Sequence, residues 1–178
     1  MGRRRTIGRS GKYYRVVAPD WVDATDTSHS KLRGGRWNPA GEFGALYLNA
    51  TVQVAAANVR ARHAGRAIKP FDLLPKARPE LVSFEVPMVD VVDACTAAGI
   101  AALDFAGSFP YDVGWPPCQE IGRQAHADGL PGVAARSNAE ATATTWVGEE
   151  LALFEKPRVR AARVRRRFAE WYPDPIPG

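Results

Sequence analysis

A short glycine-rich segment combines residue types that could bind an anion. Gly34 and Gly35 can adopt backbone conformations that are closed to other residues, and they let a ligand approach the main chain closely. Arg36 follows with a planar guanidinium that suits a phosphate or a carboxylate. Trp37 adds a large rigid surface, and Lys31 adds positive charge just upstream. The segment predicts an anion-binding loop; the alternative interpretation is a surface turn that the tryptophan anchors.

The elements that would position this loop have the sequence patterns of an α+β protein. Strands are predicted over 12–18, 45–49, 81–86, 88–92, 132–137 and 150–155, and 159–167 could extend the sheet. Apolar residues spaced i, i+3, i+4 and i+7 predict an amphipathic helix from Val52, with Thr51 as its N-cap. Further helices are predicted over 96–103 and 116–126. Because strands and helices interleave irregularly, we expect a mixed or antiparallel sheet core with flanking helices.

The length and composition are typical of one cytoplasmic domain. A chain of 178 residues with 46% hydrophobic residues can bury a core, so we expect a single domain over residues 1–178. Within it, residues 1–11 are predicted to form a basic N-terminal arm and residues 168–178 a C-terminal tail. No apolar run approaches the ~18 residues of a transmembrane helix, and no apolar segment follows the basic start as in a secretory signal. Two cysteines without a CxxC pair favour a reducing compartment.

The net charge of +5 comes from two short segments. Residues 1–15 carry six basic side chains and residues 156–167 carry seven, and neither segment contains an acid. The rest of the chain has eleven basic against nineteen acidic side chains. Basic segments of this kind are typical of surfaces that bind nucleic acid or an acidic protein, but they also occur as solvated ends of a chain.

The sequence lacks the common motifs for metals and nucleotides. The three histidines, His29, His63 and His126, form no HExxH motif and have no cysteine at zinc-ligand spacing. The Rossmann GxGxxG, the P-loop GxxxxGK[ST] and the GxSxG nucleophile elbow do not occur. We therefore expect no metal site.

The order of the motifs resembles that of the RES-domain family, the toxins of RES–Xre toxin–antitoxin systems. The matching segments are the loop 34–39, the Leu-Tyr-Leu strand 46–48, the Ala-rich helix 52–63, the G-x-x-x-x-S segment 132–137 and the L-x-L-F strand 151–154. The resemblance implies an ADP-ribosyltransferase-like fold and an activity on NAD as substrate. It also implies an Xre-type helix-turn-helix antitoxin as partner, with contact to nucleic acid only through that antitoxin, possible homo-oligomers within the complex, and no membrane association.

The resemblance assigns roles to individual side chains. Arg36 would clamp the NAD phosphates, Tyr47 would stack against nicotinamide or ribose, and Ser137 would hydrogen-bond the nicotinamide amide or ribose. Arg15 matches an N-terminal arginine near the nucleotide. The remaining members of the predicted NAD-binding set are the loop residues Lys31, Gly35 and Trp37.

Asn58 departs from the family pattern. It stands where the family has a glutamate that is expected to hold the nicotinamide ribose and to stabilise positive charge as the glycosidic bond breaks. Asparagine can accept a hydrogen bond but carries no charge. A unit charge about 4 Å away at an effective dielectric of ~20 contributes about 4 kcal/mol, or roughly three orders of magnitude in rate. The nearest acids in sequence, Glu42 and Asp72, offer no plain substitute.

Four functions are compatible with the sequence. The first is a bacterial toxin that cleaves the nicotinamide–ribose bond of NAD by hydrolysis or phosphorolysis. The second is transfer of ADP-ribose to a protein. The third is an NAD-binding member of the family that is weakly active or inactive because of Asn58. The fourth is a basic nucleic-acid-binding protein that uses residues 1–15 and 156–167.

Overall fold

The described part of the chain forms six strands and five α-helices. The computed structural model describes residues 4–155 and 157–173. The strands are β1 (Thr6–Val17), β2 (Ala45–Asn49), β3 (Glu80–Ala94), β4 (Gly132–Arg136), β5 (Glu149–Phe154) and β6 (Arg160–Ala161). The α-helices are α1 (Ser28–Arg33), α2 (Val52–His63), α3 (Ala97–Ala102), α4 (Trp115–Ala127) and α5 (Phe168–Trp171). Two short 3-10 turns, Pro70–Asp72 and Pro75–Ala77, connect α2 to β3.

The strands form one mixed sheet in the order β1-β2-β5-β4-β3-β6. β3 also pairs with β1, from Thr6 opposite Val92 to Val17 opposite Glu80. Pairing therefore runs in a ring from β1 through β2, β5, β4 and β3 back to β1. Within that ring the β3–β4 pair is parallel and the other pairs are antiparallel. The α+β fold with a mixed sheet and flanking helices is thus confirmed.

The alternation of side chains along β2 divides the core into two clusters. Ala45 packs into a cluster that is covered by α3 and α4, and Tyr47 packs against its edge. Leu46 and Leu48 point the other way, into a cluster with residues of β1 and β3. Because side chains alternate across a strand, one face of β2 can carry site residues while the other anchors the sheet.

Two helices begin where local sequence chemistry predicts them. The side chain of Thr51 caps α2 by accepting a hydrogen bond from the backbone nitrogen of Val54 at 3.2 Å, which confirms the predicted N-cap. α4 has prolines in its first turn, where no intrahelical donor is needed. Gly122 of α4 packs against the main chain of Trp37, and a side chain at this position would overlap the Trp37 carbonyl group. α4 therefore lies directly against the glycine-rich loop.

The predicted arm and tail are corrected by the structure. β1 begins at Thr6, so residues 6–11 are paired with β3 rather than forming an arm. Phe168 and Trp171 of α5 are buried in a third cluster with residues of α2, because the aromatic side chains bury apolar surface there. Residues 1–3 of the predicted arm and 174–178 of the predicted tail lie outside the described residues.

The two basic segments are partly neutralised within the fold. Arg9 donates two hydrogen bonds to Glu149, at 2.5 and 2.7 Å, and Arg165 approaches Glu80 at 3.5 Å. The strand predicted within 159–167 is limited to the two residues of β6 and one isolated bridge from Arg166 to β3. Arg9 and Arg165 are therefore paired with carboxylates and do not form a free cationic surface.

In the described ranges, 4–155 and 157–173, no group of three or more histidine, cysteine or carboxylate side chains is arranged to hold a metal ion. None of the helices in those ranges is both long and apolar enough to cross a membrane.

Candidate active site

A cavity of about 640 Å³ opens beside β2. Its walls come from β1, the glycine-rich loop after α1, β2, the inner face of α2, the segment after β4 and the first residues of β5. This volume falls within the range of small-molecule and cofactor sites. Trp21, two residues of α1 and Trp115 of α4 complete the lining, so the cavity gathers residues from distant parts of the sequence.

Three arginines make one part of this cavity cationic. Arg15, Arg36 and Arg62 all line it, whereas Glu150 is the only carboxylate among the described residues that do. Arg15 is nearly buried, and this burial lowers its pKa to about 10. Its Nη1 donates to the carbonyl oxygens of Ala24 at 2.5 Å and Asp26 at 3.0 Å, which fixes the guanidinium at the wall. The cationic wall would attract an anionic ligand.

Arg36 is held by neutral groups and has unused hydrogen-bonding capacity. The side chain is 8% exposed, and Nη2 donates to the carbonyl oxygen of Val113 at 3.1 Å. The guanidinium lies 5.4 Å from the ring centre of Phe109. When the side-chain amide of Asn138 is oriented with its nitrogen towards the carbonyl oxygen of Pro110, its oxygen accepts a hydrogen bond from Arg36 Nη1 at 3.2 Å. Nε is buried without a partner among the described atoms, and no described carboxylate forms a salt bridge with Arg36. A buried cation in this state is suited to bind an anion.

Tyr47 holds the loop by its hydroxyl group. Its oxygen accepts a hydrogen bond from the backbone nitrogen of Trp37 at 2.9 Å and donates to Asn38 Oδ1 at 2.8 Å. Burial raises the pKa of Tyr47, so the phenol remains protonated and able to donate. Gly35 makes this approach possible, since a Cβ there would lie only 2.8 Å from Tyr47 Cε2.

Asn38 and Gln119 complete the support of the loop. The side-chain nitrogen of Asn38, which is fully buried, donates to the carbonyl oxygens of Ser30 at 2.8 Å and Phe43 at 2.9 Å. Gln119 of α4 donates to the carbonyl oxygen of Gly35 at 2.9 Å. The sequence motifs indicate neither residue as a support of the loop. The loop is thus fixed from both sides before any ligand binds.

A carboxylate that the sequence analysis missed lies next to Asn58. Glu150 Oε1 accepts a hydrogen bond from Asn58 Nδ2 at 2.8 Å and a second from Ser137 Oγ at 2.6 Å. Asn58 Nδ2 also donates to Asn49 Oδ1 at 2.9 Å. Asn49 is directly opposite Glu150 in the β2–β5 pair, and Tyr47 lies two residues along on the same face. The strand register therefore brings the missed carboxylate to the predicted site.

The cavity brings together five of the predicted site residues. Those that line it are Arg15, Gly35, Arg36, Tyr47 and Asn58. Lys31 does not line it; its side chain is exposed on α1. Trp37 does not line it either; its ring is buried in the core and packs near Phe109. Ser137 is fully buried behind the wall, and its hydroxyl contacts Glu150 rather than the cavity.

The protein is thus an α+β protein with one mixed sheet, and the described lining of its cavity combines three arginines with one carboxylate. The sequence matches the RES domain model over residues 12–173, and the chain belongs to the RES-domain family. Its fold is similar to that of a chain in the crystal structure of the M. tuberculosis MbcT–MbcA toxin–antitoxin complex, with a TM-score of 0.76. The two chains are 23% identical, and the match covers 93% of this chain and 89% of the other. No curated protein matches the sequence significantly.

Proposed function

We propose that this protein is the toxin of a toxin–antitoxin system and that it consumes NAD by cleaving the nicotinamide–ribose bond. Membership of the RES-domain family and the fold shared with a toxin–antitoxin complex support the first part. The cavity supports the second part. The single observation that carries it is the buried Arg36 guanidinium, which has an unpartnered Nε and no described carboxylate partner.

A dinucleotide suits the distribution of charge in the cavity. Its pyrophosphate is an anion that Arg36, Arg15 and Arg62 can bind with charge-assisted hydrogen bonds. The nicotinamide riboside end is cationic at the pyridinium ring, and it would be directed towards Glu150. One ligand that carries an anionic centre and a cationic end therefore complements both kinds of charge on the wall.

The proposed chemistry depends on positioning and electrostatics. When the bond between ribose C1′ and the pyridinium nitrogen breaks, its electron pair leaves with nicotinamide, and positive charge develops on C1′ and the ring oxygen of ribose. Water or phosphate then adds to C1′. Fixed charges and dipoles that complement this state lower the barrier without rearranging during the reaction. The loop held by Tyr47, Asn38 and Gln119 is rigid enough to serve this purpose.

The experiment is incubation of the purified protein with NAD, in water and in phosphate buffer, followed by chromatographic detection of free nicotinamide. We expect nicotinamide and either ADP-ribose or its 1″-phosphate. Arg36→Ala should weaken NAD binding by about 10- to 100-fold, the range expected for lost charge-assisted hydrogen bonds. Arg160→Ala, an exposed arginine of β6, is the matched control and should behave as wild type. Absence of nicotinamide with the wild type would overturn the proposal.

An antitoxin partner is the second element of the proposal. We propose an Xre-type helix-turn-helix protein that covers the cavity and blocks access of NAD. Co-expression of this chain with the product of an adjacent helix-turn-helix reading frame should give a complex that releases no nicotinamide. Full activity of the isolated complex would contradict this mode of inhibition.

A further inference from the structure

We propose that Glu150 is the catalytic carboxylate of this protein and that Asn58 and Ser137 position it. This inference rests on the proposed cleavage of NAD. In the family pattern the negative charge is expected at the position of Asn58, which is neutral here. The geometry points to Glu150 as the group that supplies the charge from the neighbouring strand.

The surroundings of Glu150 suit this role. It lines the cavity, and it is the only carboxylate among the described lining residues. Both of its described hydrogen bonds, from Asn58 and Ser137, converge on Oε1. Oε2 forms no hydrogen bond within the described part of the chain, so one carboxylate oxygen is fixed and the other is available to a ligand.

Asn58 is the residue type that this arrangement requires. Its Nδ2 donates to Glu150 Oε1 at 2.8 Å, and a carboxylate has no such donor. A glutamate at position 58 would place a second negative charge within a few ångströms of Glu150, where like charges repel. Asn58 therefore leaves the negative charge of the site in place, because it orients the carboxylate of Glu150, which carries that charge. Ser137 supports the same oxygen from the buried side.

The reaction assigns a specific task to this carboxylate. As the C1′–nitrogen bond breaks and the electron pair leaves with nicotinamide, the positive charge on the ribose is stabilised by the negative charge of Glu150. An oxocarbenium-like state beside a carboxylate is the arrangement that glycoside-cleaving enzymes use. Water adds to C1′ and its proton is released to solvent, so Glu150 ends each cycle as it began.

The test compares two adjacent glutamates of β5. Glu150→Gln removes the charge but keeps an acceptor oxygen for Asn58 and Ser137, so the fold should persist. We expect kcat for nicotinamide release to fall by about 10³-fold, as estimated for a unit charge about 4 Å away. The dissociation constant of NAD should rise by a smaller factor, because the cationic pyridinium ring loses an opposite charge as well. Glu149→Gln, whose carboxylate pairs with Arg9 outside the cavity, is the matched control and should retain wild-type kcat. Thermal unfolding of each variant checks that it is folded.

Two further variants separate charge from structure. Asn58→Glu alone should lower kcat, because it sets two carboxylates against each other. Combining Asn58→Glu with Glu150→Asn exchanges the two groups and should be more active than Asn58→Glu or Glu150→Gln alone. If the wild type releases nicotinamide and Glu150→Gln is equally active, this inference is wrong while the proposed function stands. If the wild type releases none, the proposed function itself fails and the inference with it.

Discussion

Tyr47→Phe removes one hydroxyl group from the support of the glycine-rich loop. That group accepts from the backbone nitrogen of Trp37 and donates to Asn38 Oδ1, at 2.9 and 2.8 Å. Leaving a buried donor without a partner costs about 1–3 kcal/mol. For a chain of this size each kcal/mol lowers the Tm by about 2–4 °C, so we expect a decrease of about 2–12 °C. The phenyl ring itself remains, so the loss reports the hydrogen bonds rather than the packing.

Urea unfolding followed by tryptophan fluorescence measures the free energy of unfolding, and a thermal scan measures the Tm. Tyr111→Phe is the control because Tyr111 is 47% exposed, and its substitution should change stability by less than about 0.5 kcal/mol. NAD binding should weaken as well, since the loop that carries Arg36 loses an anchor. A Tyr47→Phe protein with the stability and NAD affinity of wild type would refute the view that the hydroxyl fixes the loop.

Two other substitutions test the packing and the electrostatics of the scaffold. Gly122→Ala should lower the free energy of unfolding, measured in urea, by about 1–3 kcal/mol, because the added Cβ would overlap the main chain of Trp37. Gly107→Ala is the control and should leave the free energy of unfolding unchanged, because a Cβ there meets no atom within 4 Å. Burial alone would raise the pKa of Asp93, but hydrogen bonds from residues 95 and 96 hold it below its usual value. These hydrogen bonds stabilise the folded protein at pH values above 3.8, the pKa of the Asp93 carboxyl in the unfolded chain, and the stabilisation is lost as the pH falls through the lower pKa of the folded state. Asp93→Asn should therefore be less stable than the wild type at neutral pH, with the difference in stability narrowing below about pH 4.

Local sequence chemistry was sufficient for α2, α3 and α4, but not for α1 and α5. The threonine cap and the apolar spacing of α2, and the prolines that begin α4, act within a few residues, so their positions follow from the sequence alone. The first half of β1 could not be found in this way. Its glycines and arginines are typical of an arm, and it becomes a strand because the distant strand β3 offers a partner, with Thr6 opposite Val92 and Gly11 opposite Val86.

The candidate site shows the same division between local and long-range information. The loop around Arg36 and the strand with Tyr47 are recognisable as motifs. Glu150 is not, because its place beside Asn58 arises from the pairing of β2 with β5. The burial of Trp37 likewise depends on α4, which the sequence does not place against the loop. Contacts between distant segments therefore decide which of the candidate residues face the cavity.

The most direct measurement is a crystal structure of the protein with carba-NAD, an analogue whose nicotinamide linkage resists cleavage. The pyrophosphate should lie against Arg36 and Arg15, and the C1′ carbon of the nicotinamide-bearing ring should lie within about 4 Å of the Glu150 carboxylate. An analogue bound outside the cavity, or bound with its adenine end at Glu150, would contradict the assignment of this cavity as the site of NAD cleavage.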